Sequence, residues 1–157
     1  MEGLLIKDEK KECARLQNIF TALNGEQLKY NWLITEIDYA QVNNEVSPLS
    51  QPYTWISGEE LTERAKLDNG FWVWGVFSGF SKEIDKEEIL KFELPYADGY
   101  TGFWENPLTV QHPLASIEFV EWDGTLFLAI TNDQKILMDL KTVFPTARNL
   151  IDYNNEP

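Results

Sequence analysis

Cysteine and histidine, which supply most zinc ligands and all disulfides, are nearly absent: the sequence has one of each in 157 residues. Cys13 cannot form a disulfide within the chain, so a reducing cytoplasm is the expected compartment. Neither Cys13 nor His112 has a partner at the short spacing that zinc sites require. Phosphate-loop and dinucleotide fingerprints are also absent. The sequence therefore predicts neither a resident metal nor a cofactor.

Long apolar runs are missing as well, and none approaches the roughly 20 residues that a membrane-spanning helix needs. No charged and then apolar leader precedes the first periodic segment, so we expect no membrane association. Apolar residues nevertheless make up 43% of the chain and aromatic residues 13%, which argues against disorder. A chain of this length can bury roughly 70% of its unfolded surface. Residues 1–157 are therefore predicted to form a single globular domain.

Basic residues are scarce: 13 Lys and Arg stand against 26 Asp and Glu, which gives a formal charge of −13 and a pI near 4.4. Such a charge repels phosphate backbones and anionic membranes, so direct nucleic-acid binding is not expected. It attracts basic proteins, but it also keeps a protein soluble. The acidity therefore leaves two interpretations open, a basic protein partner or solubility alone.

The clearest structural pattern runs from Leu114 to Phe144 and predicts a β-hairpin followed by an amphipathic helix. Two apolar stretches, 117–122 and 125–130, are separated only by Asp123-Gly124, a pair that favours a two-residue type I′ turn. Because side chains alternate along a strand, this register fixes which residues share a face. It pairs Ile117 with Ile130 and Phe119 with Leu128, so that one face carries Ile117, Phe119, Leu126, Leu128 and Ile130.

The helix that follows is predicted to cover this face, because its apolar residues recur at helical spacing. Thr131, Asn132 or Asp133 can cap its start, and Pro145 stops it. The apolar residues are Ile136, Leu137, Leu140, Val143 and Phe144.

Two further periodic segments lie in the first third of the chain. A helix is expected from Asp8 to Leu23, with Cys13 on its apolar stripe as a core residue. A strand is expected from Tyr30 to Tyr39, where side chains alternate between two faces. The polar stretch 41–52 that follows is typical of a loop.

The middle of the chain completes the fold prediction. Two helices are expected to begin with capping boxes, at Ser57 and at Asp85. In a capping box the side chains of the first residue and of a Glu three positions later each accept the backbone N–H of the other residue. Between them, residues 71–77 are apolar on both faces, which is typical of a central strand. The predicted fold class is α+β, a single domain with an antiparallel or mixed sheet and helices packed against it.

Residues 93–113 are the strongest candidate for function, because they have little periodicity, three prolines, two glycines and four aromatic residues. Loops of this length inside a compact domain are uncommon and are often functional. Aromatic side chains with polar tips suit binding surfaces. The alternative is a loop held over the sheet by its own aromatic residues. The candidate binding residues are Tyr96, Asp98, Tyr100, Trp104, Glu105 and His112.

His112 could act as a general base if Asp98 or Glu105 formed a carboxylate–imidazole pair with it. The other interpretation is structural, and it is our prediction because the residue precedes a proline and an apolar strand. Two carboxylates could also pair in space for glycoside hydrolysis, but the sequence spacing does not identify such a pair. No catalytic residue is therefore predicted.

Four stretches of the chain carry a family resemblance: Trp55–Leu61, Trp74–Phe80, Tyr96–Pro107 and His112–Glu118. With them, the region from about Leu28 to Tyr153 resembles an uncharacterised bacterial domain family of unknown function. This resemblance implies no known activity, cofactor or catalytic residue. In size, charge and aromatic content the chain is also loosely similar to immunity proteins of bacterial toxin systems, which are small, acidic, α+β and cytoplasmic.

The leading functional hypothesis is a non-catalytic, acidic cytoplasmic protein that neutralises or sequesters a basic protein, in the manner of immunity proteins. One alternative is a small hydrolase-type enzyme that uses His112 or a carboxylate pair. Another is a ligand-binding module built on residues 93–113. The sequence does not indicate an oligomeric state.

Overall fold

The computed structural model of the protein describes residues 1–7, 16–40, 52–67 and 71–157. Within them the strands are β1 (Glu2–Lys7), β2 (Tyr30–Ala40), β3 (Tyr53–Ser57), β4 (Phe71–Ser81), β5 (Ile117–Trp122), β6 (Leu126–Thr131) and β7 (Arg148–Asn149). The helices are α1 (Leu16–Leu23), α2 (Gly58–Leu67), α3 (Lys86–Ile89), α4 (Gln134–Val143) and α5 (Leu150–Asn154). Short 3₁₀ turns cover Glu26–Lys29 and Gly102–Trp104. Cys13 and most of the expected loop at 41–52 lie outside the described residues.

The seven strands form one sheet in the order β3-β2-β4-β5-β6-β1-β7. Every neighbouring pair is antiparallel. The predicted α+β class is therefore confirmed, with an antiparallel sheet. β4 lies between β2 and β5, and its adjacent residues Val76 and Phe77 are both fully buried, one on each face. The prediction of a central strand covered on two sides is confirmed as well.

The hairpin of β5 and β6 has the predicted strands but a different register. Phe119 lies opposite Ala129 instead of Leu128, and Ile117 lies opposite Thr131 instead of Ile130. A shift of one residue moves every side chain of a strand to the other face. The prediction that both strands place their large apolar residues on one face is therefore wrong. The β6 residues on the face opposite Phe119 are Leu126, Leu128 and Ile130.

The shift arises from one extra residue in the turn. Asp123 and Gly124 have φ of 51° and 62°, and the N–H of Thr125 donates to the carbonyl of Trp122 at 3.1 Å. This is the backbone conformation that the Asp-Gly pair predicts. Trp122 nevertheless pairs with Leu126, so Thr125 is a bulged residue and the loop has three residues instead of two.

Three helices cover one face of the sheet. α1, α2 and α4 contribute the buried side chains of Ile19, Leu61 and Leu140, which belong to one cluster with Trp32 and Phe119. The predicted packing of α4 on the hairpin is confirmed for Ile136, Leu137 and Leu140, which are buried, and for Phe144, which is partly buried against the same cluster. Val143 was expected there too but is exposed, because it lies in the last turn of the helix. The face that α4 covers is the one that carries Phe119 and not Leu128. No helix among the described residues is long and apolar enough to cross a lipid bilayer.

The helix starts agree only in part with the predicted caps. Asp133, one of the three residues predicted as possible caps, caps α4 with its carboxylate. At the start of α2, Ser57 Oγ accepts the N–H of Glu60 at 3.1 Å, but the Glu60 carboxylate pairs with Arg64 and does not complete the box. Asp85 makes no side-chain bond at the start of α3, so the second capping box is wrong. The single turn of α3 is held through the backbone carbonyl of Asp85 instead.

Candidate functional site

The candidate segment, residues 93–113, lies across the sheet face opposite α1, α2 and α4. Its residues Ala97, Phe103 and Leu108 are almost fully buried and belong to one cluster with Val120 of β5 and Leu128 of β6. The inner side of the segment is therefore part of the hydrophobic core. Only its outer side can meet a partner.

One end of the segment is fixed by Glu36 on β2. Its carboxylate accepts hydrogen bonds from the N–H groups of Ala97 and Asp98, the second at 3.1 Å. Glu36 has a φ of 46° and lies where the register between β2 and β4 shifts, between Thr35 and Asp38. A bulge of this kind re-aims a side chain, and here it accompanies the turn of Glu36 toward the segment. Bonds to an ionised carboxylate are stronger than bonds to a neutral acceptor.

The other end is fixed by Glu118 on β5, which is fully buried. Its carboxylate accepts hydrogen bonds from the N–H groups of Gln111 at 2.6 Å and His112 at 2.9 Å, and from the hydroxyl of Ser78 at 3.1 Å. Burial raises the pKa of Glu118 to about 7, and the three hydrogen bonds oppose that rise. A strand carboxylate thus holds two consecutive N–H groups at each end of the segment.

Neither Glu36 nor Glu118 is among the residues that the sequence predicts for the site. A usable signal exists, because a long segment without helix or strand must find acceptors for its N–H groups. A carboxylate inside an otherwise apolar strand can supply such an acceptor. Glu118 stands in a strand of this kind, between Ile117 and Phe119.

His112 is buried beneath the segment, and backbone groups contact both of its ring nitrogens. Nε2 lies 3.1 Å from the carbonyl of Ile89, and Nδ1 accepts the N–H of Leu114 at 3.2 Å, which places the ring proton on Nε2. The rings of Phe80 and Phe92 pack against it, with centroids at 4.8 and 5.3 Å. Burial lowers the pKa of His112 and so favours the neutral ring. This geometry supports the structural interpretation, because neither nitrogen is left to act as a general base.

The other predicted residues lie on the outer side to different degrees. Tyr100 is half-buried, and its ring contacts Tyr96 and Phe103 with centroids at 5.5 and 4.6 Å. Burial raises the pKa of Tyr100, and the negative charges of Glu118, Tyr96 and Glu105 add to the rise. The structure therefore brings Tyr96, Tyr100 and Glu105 into one neighbourhood. The residues with exposed side chains are Tyr96, Asp98 and Glu105.

Trp104 is half-buried and packs sideways into the protein. Its ring meets Trp122 edge-on with centroids 4.9 Å apart, and the ring of Tyr153 lies at 6.0 Å. These contacts give Trp104 a role in holding α5 and β5 to the segment. It is a weaker candidate for a binding anchor than the exposed Tyr96.

Three exposed apolar side chains lie within five residues where the segment begins, the first of them just before it. Phe92, Leu94 and Tyr96 are 41%, 39% and 43% exposed, respectively. They follow α3 in a stretch that is neither helix nor strand. The sequence does not predict Phe92 and Leu94 as site residues, since apolar residues next to a short helix ordinarily point into the core.

The same region has no positive charge of its own. Residues 92–134 contain seven acidic residues and no Lys or Arg. Glu93, Asp98 and Glu105 are exposed among them. Such a surface combines apolar contact area with carboxylates, which suits a partner of opposite charge. We call it the 92–105 face, and it consists of Phe92, Glu93, Leu94, Tyr96, Asp98 and Glu105.

Two cavities are lined by described residues elsewhere on the protein. One, of about 330 Å³, lies between α1 and α2, and the other, of about 500 Å³, lies along β3. Neither is lined by His112 or by a residue of the 92–105 face. No three His, Cys, Asp or Glu side chains in the described part of the chain are placed to hold a metal ion together.

Comparison with known proteins finds no matching family model, no matching curated protein and no matching solved structure. The resemblance of the sequence to an uncharacterised bacterial domain family therefore stays a prediction. The functional argument has to come from the geometry of the chain itself.

Proposed function

We propose that this protein is a non-catalytic cytoplasmic binding protein that holds a basic protein partner on the 92–105 face. One observation carries the proposal: three exposed apolar side chains, those of Phe92, Leu94 and Tyr96, lie next in sequence to exposed carboxylates and directly before the point where Glu36 fixes the chain to the sheet. Exposed apolar side chains that cluster are typical of interaction sites. The carboxylates among them select for a basic partner.

The hydrogen bonds of Glu36 and Glu118 support the proposal, because a surface that is already ordered loses less conformational freedom on binding. Tyr96 is fixed in the same way, since its N–H donates to the side chain of Gln111 at 2.9 Å. A specific interface covers about 800 Å² on each partner. The partner must therefore extend beyond the three apolar side chains onto the surrounding acidic surface.

The two kinds of side chain have separate kinetic roles in this proposal. The carboxylates raise the association rate, because an acidic surface attracts a basic partner over about one Debye length, roughly 8 Å at physiological salt. The apolar side chains lower the dissociation rate once water is excluded around them. A neutralising role like that of immunity proteins agrees with the charge of −13 and with the fold class. No observation on the described residues favours the alternative enzyme or ligand-binding module.

A capture experiment followed by reconstitution tests the proposal. The full chain is immobilised and incubated with lysate of its source organism at low salt, and retained proteins are identified by mass spectrometry. A face variant with Phe92→Ser and Leu94→Ser is treated in the same way. We expect a basic protein that the wild type retains and the face variant loses. The same protein should bind the wild type when both are purified.

Helix α4 offers a matched control for this experiment. Met138 and Val143 are 68% and 53% exposed, and they lie on the helix layer at the other side of the sheet. A variant with Met138→Ser and Val143→Ser removes exposed apolar surface from this other side and should still retain the partner. Circular dichroism checks that both variants are folded, because Phe92 also packs against His112. Retention by the face variant, or equal loss from both variants, contradicts the proposal, as does a failure of the purified proteins to bind.

A further inference from the structure

Strand β3 forms one edge of the sheet and has no charged residue. Its sequence is Tyr53-Thr54-Trp55-Ile56-Ser57, whereas a quarter of the whole chain is charged. Among the described residues no strand pairs with its outer edge. In an antiparallel strand, alternate residues direct their N–H and C=O groups away from the paired neighbour. Within the described part of the chain, the outer edge of β3 therefore presents backbone groups that no other strand pairs with, and no charged side chain of the strand itself blocks pairing.

The opposite edge of the sheet is built differently. Its outermost strand, β7, has two residues, and the second of them, Asn149, already caps helix α5. A very short edge strand is one of the devices by which proteins prevent pairing with another chain. The contrast makes β3 the edge that is suited to pairing.

A groove of about 500 Å³ runs along β3. Glu60 and Arg64 of α2 line it on one side, and their side chains form an ion pair at 2.5 Å. Lys86 of α3 lines it on the other side, with its ammonium 5.6 Å from the centroid of the Tyr53 ring. Two cations and one carboxylate therefore surround an uncharged strand, on a chain with a net charge of −13. The long-range repulsion between two copies of the chain is locally relieved at this groove.

We propose that a second copy of this chain occupies the groove, with β3 pairing antiparallel to β3 of its partner around a two-fold axis. The charges on α2 argue for this occupant. Glu60 and Arg64 lie one helical turn apart, so in two antiparallel α2 helices each carboxylate faces the guanidinium of the other copy. A two-fold interface has to be self-complementary in this way.

The spacing of the elements agrees with this arrangement. Helix α2 packs over both β2 and β3, with Leu61 in the same cluster as Trp32 and Ile56. Neighbouring strands are about 4.8 Å apart, so two α2 helices across a β3–β3 pair would be about two strand spacings, roughly 9.6 Å, apart. Packed helices are about 8–10 Å apart. The two sheets can therefore join while the two helices come into contact above them.

Charge-reversal variants of the full chain test the proposal through its mass in solution. Sedimentation equilibrium of the wild type should give about twice the 18.2 kDa of one chain as concentration rises toward the millimolar range. In the dimer, Glu60→Arg would place Arg side chains of the two copies opposite each other, and Arg64→Glu would place Glu side chains opposite each other. Each variant by itself should therefore be mainly monomeric. An equimolar mixture of the two restores opposite charges and should form the mixed dimer.

Glu63 supplies the matched control, because it is an exposed residue of α2 that pairs with Lys66 at 2.6 Å and does not line the groove. Glu63→Arg should dimerise like the wild type, and circular dichroism checks that every variant is folded. A wild type that stays monomeric throughout overturns the proposal. So do single variants that dimerise alone, a mixture that stays monomeric, or loss of the dimer in Glu63→Arg.

Discussion

Replacing Glu118 by glutamine should remove a pH dependence of stability that the wild type has between about pH 4.5 and pH 7. Burial raises the pKa of Glu118 in the folded protein from 4.5 to about 7. Between these values the folded chain holds a proton that the unfolded chain has released. The free energy of unfolding therefore falls as the pH rises through this window, and it levels off above the pKa of the folded state. The separation of the two pKa values corresponds to about 3 kcal/mol at most.

The comparison with Glu118→Gln is needed because His112 acts in the opposite sense. Burial lowers the pKa of His112 below 6.5, so the unfolded chain takes up that proton first and the folded state loses stability as the pH falls below 6.5. Tyr100 also faces Glu118, but its pKa is raised above 10, outside the window. His112 contributes almost equally to the unfolding free energies of the wild type and the variant. Subtracting one from the other therefore leaves mainly the contribution of Glu118.

The assay is urea unfolding followed by circular dichroism, at intervals between about pH 5 and pH 8. Glutamine places an amide opposite the N–H groups of Gln111 and His112, so the variant should be less stable at every pH. The informative quantity is how the difference in unfolding free energy between the wild type and the variant changes with pH. We expect the wild type to lose about 3 kcal/mol relative to the variant as the pH rises through the window. Parallel curves would refute the reasoning, since they would mean that Glu118 does not titrate there.

Three other predictions concern packing and hydrogen bonds, and the same urea melts check them. Leu140→Ala should lower the free energy of unfolding by about 2–5 kcal/mol because it opens a cavity under α4. Met138→Ala, on the exposed side of that helix, should change it by less than about 0.5 kcal/mol. A neutral Leu140→Ala would contradict the packing. Ser57→Ala should cost about 1 kcal/mol through the loss of one cap bond, and a cost several times larger would mean that Ser57 does more than cap α2. His112→Gln should cost about 1–3 kcal/mol by leaving buried backbone groups poorly paired, and it should reduce the loss of stability below pH 6.5; an unchanged acid limb would show that His112 is not the group responsible.

Much of the fold could be predicted because local patterns and tertiary packing agree. The run at the start of β4 is apolar on both faces, and it lies at the centre of the sheet. The apolar spacing of α4 and its Asp133 cap also gave the right helix. The predicted hairpin register is wrong because the loop holds a third residue, Thr125, and the turn also bonds outside the hairpin, where the N–H of Gly124 donates to the carbonyl of Val73 on β4 at 2.8 Å. Turn propensity alone does not include such a contact.

The candidate site could be located in sequence but not resolved into inner and outer side chains. Alternation along β5 puts Glu118 on the face opposite Ile117, which for a polar residue ordinarily means solvent. Here residues 93–113 cover that face, so Glu118 is buried and becomes an acceptor for their N–H groups. Trp104 turns toward Trp122 for a similar reason, because the segment buries apolar area against whatever the sheet presents. Which of these side chains are buried depends on contacts between residues far apart in the chain.

The most direct test of the proposed binding role is the association rate of the partner recovered by capture, measured as a function of salt. Raising the salt from about 50 to 500 mM should slow the association of the wild type steeply. A double variant with Asp98→Asn and Glu105→Gln, which removes two negative charges, should have a lower association rate at low salt and a weaker salt dependence. Tyr96→Ala should leave the association rate nearly unchanged and speed dissociation. An association rate that ignores salt, or one that Asp98→Asn with Glu105→Gln leaves unchanged, would contradict the account.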